Sequence, residues 1–241
     1  MIKLENTDVF GWEAAIRGMR NPMNSWDNSD SYYGCTEKPC VECEYREECN
    51  RDYIHKPYII GENDLKLMKT LSKAGDDHGK FLRMINVTVD ITAPLYWWKE
   101  FDTYKVGTVA NSCSTMHKIH AKEFELDDFS HEHLTPGSTD NALKPLISIL
   151  NSAREAYLKY EEFNEKDPEG WDEGINCKKD IWWQMIQLLP SSYNQKRTVQ
   201  LNYQVLKSMY FARKEHKLDE WRNFCSWCEG LLYFKEVCID A

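Results

Sequence analysis

Apolar residues that recur at steps of three and four predict a helix over the first ~20 residues. They are Val9, Trp12, Ile16 and Met19. A second helix is predicted to begin at Glu62-Asn63-Asp64, a typical helix start, and Gly75 is placed to end it. Its apolar stripe consists of Leu65, Leu67, Met68 and Leu71.

Alternation of apolar and polar residues predicts a half-buried strand over residues 87–91, closed by Ala93-Pro94. The following segment, from Leu95 to Phe101, is predicted to be a short helix rich in aromatic residues. Small residues such as Gly107 are frequent over residues 104–114. Such a segment suits either a close approach of the backbone to a ligand or a tight internal turn.

From Asp140 the apolar spacing is helical almost to the end of the chain. Pro145 is tolerated because it lies in the first turn of the first of these helices, and a shorter helix ends at Pro190. The residues that define the four helices are Leu143, Leu146, Ile147, Leu150 and Ala153; Ile181, Met185 and Leu188; Val199, Tyr203, Leu206 and Tyr210; and Trp221, Phe224 and Trp227. The pattern predicts an α+β protein that is mostly helical.

The composition, with 42% hydrophobic and 29% charged residues among 241, fits one ordinary soluble domain or one domain with an insertion. The apolar runs fall short of the ~20 residues that cross a bilayer. The first six residues lack the features of a secretory signal. We therefore expect a cytoplasmic protein with no membrane partner. The net charge is −9, and a duplex-binding protein normally carries a basic face, so we expect no nucleic-acid polymer as partner.

Four of the nine cysteines lie close together in a polar segment. The spacing Cys35-x4-Cys40-x2-Cys43-x5-Cys49 allows four thiolates to bind one tetrahedral zinc, and its first three cysteines also match one iron–sulfur pattern. A metal would supply folding energy that this segment lacks. We interpret residues 30–56 as a Cys-rich insertion that can hold a structural metal, with zinc favoured over iron–sulfur. An iron–sulfur cluster and a loop without metal are the alternatives.

Three other groups of residues each allow two interpretations. Cys225-x2-Cys228 is favoured as a pair of small core residues over a redox pair. Trp97-Trp98 suits the core, or stacking on a flat ring such as a flavin. Four histidines lack an accompanying carboxylate or thiolate, so solvated or hydrogen-bonded side chains are favoured over a metal site. They are His117, His120, His131 and His133.

A succession of short motifs covers about half of the chain. It comprises Leu67-Met68-Lys69, Lys73-Ala74-Gly75, Phe81-Leu82-Arg83, residues 87–91, Ala93-Pro94, Trp97-Trp98 and the run TYKVGTVANSCSTMH at 103–117, then Leu189-Pro190, Asn202 and Arg213. Their order resembles the flavin-dependent thymidylate synthases (thymidylate synthase complementing proteins). In that family a Lys-x-Gly helix end, a Pro-Phe-Glu-His segment, a strand into Ala-Pro and an aromatic helix precede the signature Arg-His-Arg-x-x-Ser-x-Asn-Glu-x-Ser-x-Arg-Tyr.

The resemblance implies a single domain over residues 1–241 with a central antiparallel sheet, surrounding helices and a mostly helical C-terminal half. Members of that family use flavin to reduce a methylene carried by folate onto dUMP, in a homotetramer whose sites lie between subunits. For this chain it therefore implies FAD as cofactor, a pyrimidine nucleotide with folate or NADPH as partners, and a homo-oligomer.

By position, Lys105 keeps one charge of the Arg-His-Arg triplet, which holds the flavin and activates the pyrimidine. Asn111 and Ser114 keep the family's Asn and substrate-binding Ser. The residues implied for the cofactor are Arg83, Tyr104, Lys105, Asn202, Gln204 and Ser208. Those implied for the substrate are Asn111, Ser114, His117 and Arg213. No catalytic residue is assigned.

The signature also departs from the family pattern. Thr103-Tyr104 replaces Arg-His, Ser112 replaces Glu, Met116-His117 replaces Arg-Tyr, and Ile186 stands where an arginine precedes Leu-Pro. The Pro-Phe-Glu-His histidine is absent, with His78 and Arg83 the nearest polar residues. Because several charge-assisted bonds normally hold a nucleotide phosphate, these losses weaken the case for dUMP itself.

Two alternatives to thymidylate synthesis therefore stay open. The first is a protein that keeps the fold but has lost catalysis, and serves in nucleotide binding, flavin binding or assembly. The second is a different flavin reaction on a modified pyrimidine, as in a phage-type chain.

Five basic residues stand out in this acidic chain. They are Arg83, Lys105, His117, Arg197 and Arg213. With the resemblance, we expect them to face one pocket for a phosphate-bearing small ligand. The residue pattern alone favours a solvated helix face for Arg197 and Arg213.

Overall fold

The computed structural model describes residues 2–35, 38–39, 58–167 and 169–241. Cys40, Cys43 and Cys49 lie outside the described residues, as does the side chain of Cys35. The predicted zinc site and most of the predicted Cys-rich insertion therefore lie outside the described part of the chain.

Seven strands are present among the described residues. They are β1 (Lys3–Phe10), β2 (Tyr32–Cys35), β3 (Lys38–Pro39), β4 (Tyr58–Ile59), β5 (Asn86–Pro94), β6 (Val109–Ser112) and β7 (Asn194–Asn202). Four of them form one sheet in the order β1-β5-β7-β6, and three form a small sheet in the order β3-β2-β4. In the small sheet β2 is antiparallel to both neighbours, with Tyr32 opposite Ile59.

Backbone hydrogen bonds at the two ends of β5 show that β5 and β7 are antiparallel. Leu95 N donates to Tyr193 O after β5 ends, and Tyr203 N, after the end of β7, donates to Ile85 O. The alternation of buried Val87, Val89 and Ile91 along β5 is that of a strand with one face toward a core.

Helices supply most of the remaining regular structure. The α-helices are α1 (Trp12–Arg20), α2 (Glu62–Lys73), α3 (Leu95–Phe101), α4 (Thr115–Lys118), α5 (Pro136–Ser138), α6 (Lys144–Leu158), α7 (Tyr160–Lys166), α8 (Lys178–Leu188), α9 (Tyr203–Arg213) and α10 (Asp219–Glu229). Short 3₁₀-helices span Asn21–Met23, Trp26–Asn28, Gly79–Arg83 and Leu126–Asp128, and π-helical turns span Thr139–Leu143 and Lys235–Ile239. None of the helices in the described ranges is long and apolar enough to cross a membrane.

The described residues divide into two compact units. The first consists of the described residues within Met1–Glu5, Asp90–Tyr104 and Ala110–Val199, and the second of those within Asn6–Val89, Lys105–Val109 and Gln200–Ala241. In the first unit, α6 and α8 pack together around a cluster that includes Phe124, Phe129, Leu150 and Met185.

The second unit has an aromatic core of its own. Tyr203, at the start of α9, meets the ring of Trp12 edge-on at 5.4 Å and that of Phe234 at 5.2 Å. The Tyr203 hydroxyl donates a hydrogen bond of 2.6 Å to Leu232 O. Because such rings bury much apolar area in fixed geometry, they hold the start of α9 in place.

The sequence predictions for α2, β5, α3, α8 and α10 are confirmed. Gly75 follows Ala74, the C-cap residue of α2, at a φ of +104°, which is the left-handed conformation that ends helices. The α+β class with a central antiparallel sheet is also confirmed.

The predicted helix over the first ~20 residues is wrong in its first half. Val9 lies in β1, and the helix begins only at Trp12. Between them Gly11 has a φ of +95°, and a Cβ there would lie 2.2 Å from Met84 O. The glycine allows a strand to turn into a helix within one residue, and this turn leaves no trace in the apolar spacing.

Strands β7 and β6 lie where the sequence pattern predicts a helix and a turn or ligand-binding segment, respectively. Val199 was assigned to the helix of Tyr203 and Leu206, yet it is a buried residue of β7, and α9 starts only at Tyr203. Because Val199 lies four positions before Tyr203, its spacing fits both a helical stripe and an alternating strand. The spacing therefore does not distinguish helix from strand at this residue. The segment around Gly107 continues into strand β6.

Candidate functional site

The amino end of α9, in the second unit, collects several of the residues implied for the cofactor. Asn202 Oδ1 accepts a hydrogen bond of 3.0 Å from Val205 N and so caps the helix. Gly107, at a φ of +76°, approaches so closely that a Cβ there would lie 2.9 Å from both Asn202 Nδ2 and Val205 Cγ2. The segment Lys105–Val109 is thereby held against the first turn of α9, with the Lys105 side chain exposed.

Gln204 is the second residue of α9 and lies at this polar end. Its Nε2 donates a hydrogen bond of 3.0 Å to Asp76 Oδ1. Its Oε1 is buried and accepts no hydrogen bond from the residues that the structure describes. Ser208 follows one turn later on the same helix face, exposed, with its hydroxyl donating to Gln204 O.

Arg83 lies on an element that packs against α9. Phe81 and Leu82, buried at 3% and 1% exposure, fix the 3₁₀-helix Gly79–Arg83, while the Arg83 side chain is exposed. Tyr104 belongs to the first unit, where it is half-buried and its backbone N donates to Phe101 O.

A surface cavity of about 330 Å³ lies in the first unit, where β6 ends and β7 begins. Ser114 of the signature region and Lys118, which directly follows that region, line it on one side, and Tyr193 and Lys196 on the other. Cys113 joins the two sides, since its N donates to Lys196 O at 2.9 Å.

Ser114 is the one residue implied for the substrate that lines this cavity in the described part of the chain. Its Oγ accepts a hydrogen bond of 3.1 Å from His117 N, which fixes the hydroxyl in place and leaves its own proton to be donated. His117 and Asn111 are exposed nearby in sequence.

The two lysines of the cavity differ in their partners. Lys196 Nζ lies 3.1 Å from Asp90 Oδ2 and 3.8 Å from Glu5 Oε2, and the bond to Asp90 raises its pKa above the ordinary value. Lys118 is exposed and forms no ion pair with any described residue. Burial raises the pKa of the Tyr193 phenol, so that this group keeps its proton at neutral pH.

Comparison with solved structures shows that the chain has a known fold. Two crystal structures of thymidylate synthase X (ThyX) from Helicobacter pylori, each with FAD and dUMP, match the chain over 100% and 99% of its length and 98% of their own. The TM-scores are 0.60 and 0.59, at 14% sequence identity in each case. This chain has the fold of a flavin-dependent thymidylate synthase. No protein-family model matches the sequence, and no curated protein matches it.

In this thymidylate synthase X-like fold, Arg213 lies at the far end of α9 from Asn202. Arg213 follows Tyr203 by ten positions along the helix, which is about 15 Å along the axis. The Arg213 guanidinium carbon lies 4.9 Å from the centroid of the Trp221 ring. The structure therefore does not bring Arg213 to the polar end of α9 within the second unit.

Arg197 is also held by its own unit. Its guanidinium carbon lies 4.1 Å from the Trp98 ring centroid, and its Nη1 donates to Asp102 Oδ1 at 2.7 Å. Its Nε donates to Gln195 Oε1 at 2.9 Å. These contacts leave Arg197 only 14% exposed, so the solvated helix face expected from the residue pattern is wrong for this arginine, which lies on β7.

The aromatic and cysteine pairs lie in the core. Trp97 and Trp98 are 0% and 1% exposed, which confirms the core interpretation and excludes direct stacking of either ring face on a surface-bound ligand. Cys225 and Cys228 are likewise buried, and burial raises the pKa of the Cys225 thiol to about 11. Such a thiol is protonated and inert at neutral pH.

The histidines show hydrogen bonding and packing. His131 Nδ1 lies 2.8 Å from Phe129 O, and the His120 ring packs on Tyr157 at 4.7 Å. The described residues contain no group of three or more His, Cys, Asp and Glu side chains arranged to bind a metal ion.

Sequence reasoning missed Cys113, Lys118, Tyr193 and Gln195 as residues of the cavity. Lys118 could have been found, because it follows the implied Ser114 by one helical turn. Tyr193 and Gln195 are brought in by the pairing of strands distant in sequence, and no local pattern reports that pairing.

Proposed function

We propose that the protein is a flavin-dependent thymidylate synthase-like enzyme that binds FAD and acts on dUMP or a related pyrimidine deoxynucleotide. The observation that carries the proposal is the match over the full chain to thymidylate synthase X structures that hold FAD and dUMP. The order of the sequence motifs supports it independently, because that order is a property of the amino-acid sequence alone.

The residues at the polar end of α9 fit a flavin. Gln204 Oε1 is a buried acceptor without a hydrogen-bond partner in the described part of the chain, and an isoalloxazine ring offers an N–H donor of the kind this atom requires. Asn202, Lys105, Ser208 and Arg83 would bind the polar parts of the cofactor. Tyr104, in the first unit, belongs to the same proposal by resemblance.

When bound, FAD would supply the redox chemistry, and the protein would supply binding and orientation. Lys105 would place a positive charge beside the cofactor. In the first unit, Ser114 would donate a hydrogen bond to the nucleotide, with Asn111 and His117 beside it. Arg213 would bind the anionic nucleotide by resemblance to the family.

The resemblance also supports several wider proposals. These are a single thymidylate synthase complementing protein-like domain with a Cys-rich insertion, a homotetramer, a cytoplasmic location, and folate and NADPH as further partners in dTMP biosynthesis. A structural zinc bound by Cys35, Cys40, Cys43 and Cys49 remains a proposal from their spacing.

A visible absorption spectrum of the purified protein, with added FAD, tests the cofactor. We expect a protein-bound flavin spectrum after gel filtration, and dUMP-dependent oxidation of NADPH in the presence of methylenetetrahydrofolate. A colourless protein that retains no FAD would contradict the proposal. Elemental analysis of the same sample measures zinc and iron.

A second candidate function is a nucleotide- or flavin-binding or assembly protein that has lost catalysis. Met116 favours it, because a thioether stands where the family signature has an arginine. The Met116 side chain is 47% exposed, and its backbone O accepts a hydrogen bond of 3.1 Å from Trp182 Nε1. Binding of FAD and dUMP without NADPH oxidation or dTMP formation would decide for this candidate.

A further inference from the structure

Lys118 differs from the other cation of the first unit's cavity in having no carboxylate beside it. Lys196 is neutralised by Asp90 and Glu5, both within 4 Å of its Nζ. Lys118 is exposed, lines the same cavity and forms no ion pair within the described ranges. Its charge is therefore available to an anion that enters the cavity.

Hydroxyl donors surround the space that Lys118 borders. The Ser114 hydroxyl uses a lone pair for His117 N and keeps its proton for another acceptor. Tyr193 also lines the cavity and keeps its phenolic proton. One unpaired ammonium with hydroxyl donors is suited to the oxygens of a phosphate group.

The size of the cavity limits the ligand. Ligand pockets span roughly 300–1,000 Å³, and this cavity, at about 330 Å³, lies at the small end. Its volume matches a ligand of mononucleotide size, and a dinucleotide such as FAD would extend beyond it.

We propose that Lys118, beside Ser114, binds the phosphate monoester of a nucleoside monophosphate in this cavity and supplies the positive charge that the chain lacks at Met116. The inference rests on the proposed function for the identity of the nucleoside, which is deoxyuridine or a related pyrimidine. Lys118 is then the residue by which the protein distinguishes the nucleotide from its nucleoside.

Calorimetric titration with dUMP and with deoxyuridine tests the role of Lys118. In Lys118→Gln the affinity for dUMP should fall about tenfold, as expected for the loss of one charge-assisted bond, while that for deoxyuridine stays within twofold. Lys118→Arg should restore most of the affinity. Lys122→Gln is the matched control, because Lys122 is exposed on the same segment but paired with Asp128 at 3.1 Å.

Protection of cysteines from alkylation by iodoacetamide shows where the ligand binds, and this measurement requires neither FAD nor enzyme activity. Cys113 lines the cavity, and Cys177 is an exposed cysteine that does not line it. Excess dUMP should slow the alkylation of Cys113 in the wild type, and should slow it far less in Lys118→Gln. The alkylation rate of Cys177 should not change. Peptide mass spectrometry measures both rates.

The results separate this inference from the proposed function. Equal dUMP affinity in wild type and Lys118→Gln, or Cys113 alkylation unaffected by dUMP, overturns the inference even if FAD-dependent activity is found. Lys118-dependent binding of dUMP by a protein that binds no FAD supports the inference and overturns the flavin enzyme. A wild type that binds no pyrimidine deoxynucleoside monophosphate overturns both.

Discussion

Asp64 is fully buried and is the most highly connected carboxylate among the described residues. Its Oδ1 accepts a hydrogen bond of 2.7 Å from Arg20 Nε, and its Oδ2 accepts hydrogen bonds of 2.7 Å and 2.6 Å from the hydroxyls of Ser29 and Ser31. Arg20 is itself only 5% exposed. Asp64 thereby ties the residues before β2 to α1 and α2 within the second unit.

Replacing Asp64 by Asn should destabilise the protein severely. Removing one charge of a buried pair leaves the other without compensation, at a cost of about 3 kcal/mol in the free energy of unfolding. Urea denaturation at pH 7 measures this. Asp27→Asn, a change at an exposed carboxylate nearby, should alter the free energy by less than about 0.5 kcal/mol. Equal stability of Asp64→Asn and wild type would show that the buried pair is unimportant.

The same carboxylate gives an acid-dependent stability. Burial alone would raise its pKa, but hydrogen bonds from Ser31, Ser29 and Arg20 outweigh burial and hold the pKa below 3.8. A group whose pKa is lower in the folded state stabilises the fold above its unfolded pKa. That stability is lost as the pH falls through the folded value. Between pH 5 and pH 2 the wild type should therefore lose more stability than Asp64→Asn, as urea titrations at each pH would show.

Residue environments were predictable from the sequence where neighbours in the chain determine them. Trp97-Trp98 lies in an aromatic-rich helix and Cys225-x2-Cys228 in an amphipathic one, and the core interpretation of both pairs is confirmed. The bond between Gln204 and Asp76 joins residues 128 positions apart, and it depends on how α9 packs rather than on either local sequence.

At the scale of elements, the spacing of apolar residues identified helices that have apolar residues along one face. It missed strands whose apolar residues are also spaced as in a helix. β5 was found because three apolar residues alternate strictly with polar ones. β7 was missed because Val199 falls in phase with the helix that follows. The boundary is instead set by Asn202, whose side chain caps α9, and a cap is a signal that the apolar spacing does not contain.

The packing of Lys105–Val109 on α9 is testable at Gly107. Gly107→Ala adds a Cβ that meets Asn202 Nδ2 and Val205 Cγ2 at 2.9 Å, on a backbone with a φ of +76°. Strain and clash together should cost about 2 kcal/mol or more. Gly75→Ala is the control, since Gly75 has a φ of +104° but faces open space, and should cost about 1 kcal/mol. Thermal denaturation compares the two, and an equal loss would contradict the close approach.

At the scale of the whole chain, the order of motifs predicted a fold that overall identity does not reveal. The identity to the thymidylate synthase X structures is 14%, yet the segments that make β5, α3 and α9 follow one another as in the family. Segment order is preserved because each segment packs on its neighbours. The chemistry is less predictable, since one fold can hold different side chains at a site; at residue 116 this chain has Met where the family signature has an arginine.

Binding of FAD should be visible as a stabilisation of the whole protein. At a free FAD concentration of 100 times Kd, a ligand that binds only the folded state adds about 2.7 kcal/mol to the free energy of unfolding. For a chain of this size each kcal/mol raises Tm by roughly 2–4 °C, so we expect a rise of about 5–10 °C in differential scanning fluorimetry monitored by tryptophan emission. Lys118→Gln should show the same rise, because the ligand proposed for Lys118 is the nucleotide and not the flavin. A wild type whose Tm is unchanged by FAD, at concentrations that saturate known flavoproteins, would contradict flavin binding and with it the proposed redox function.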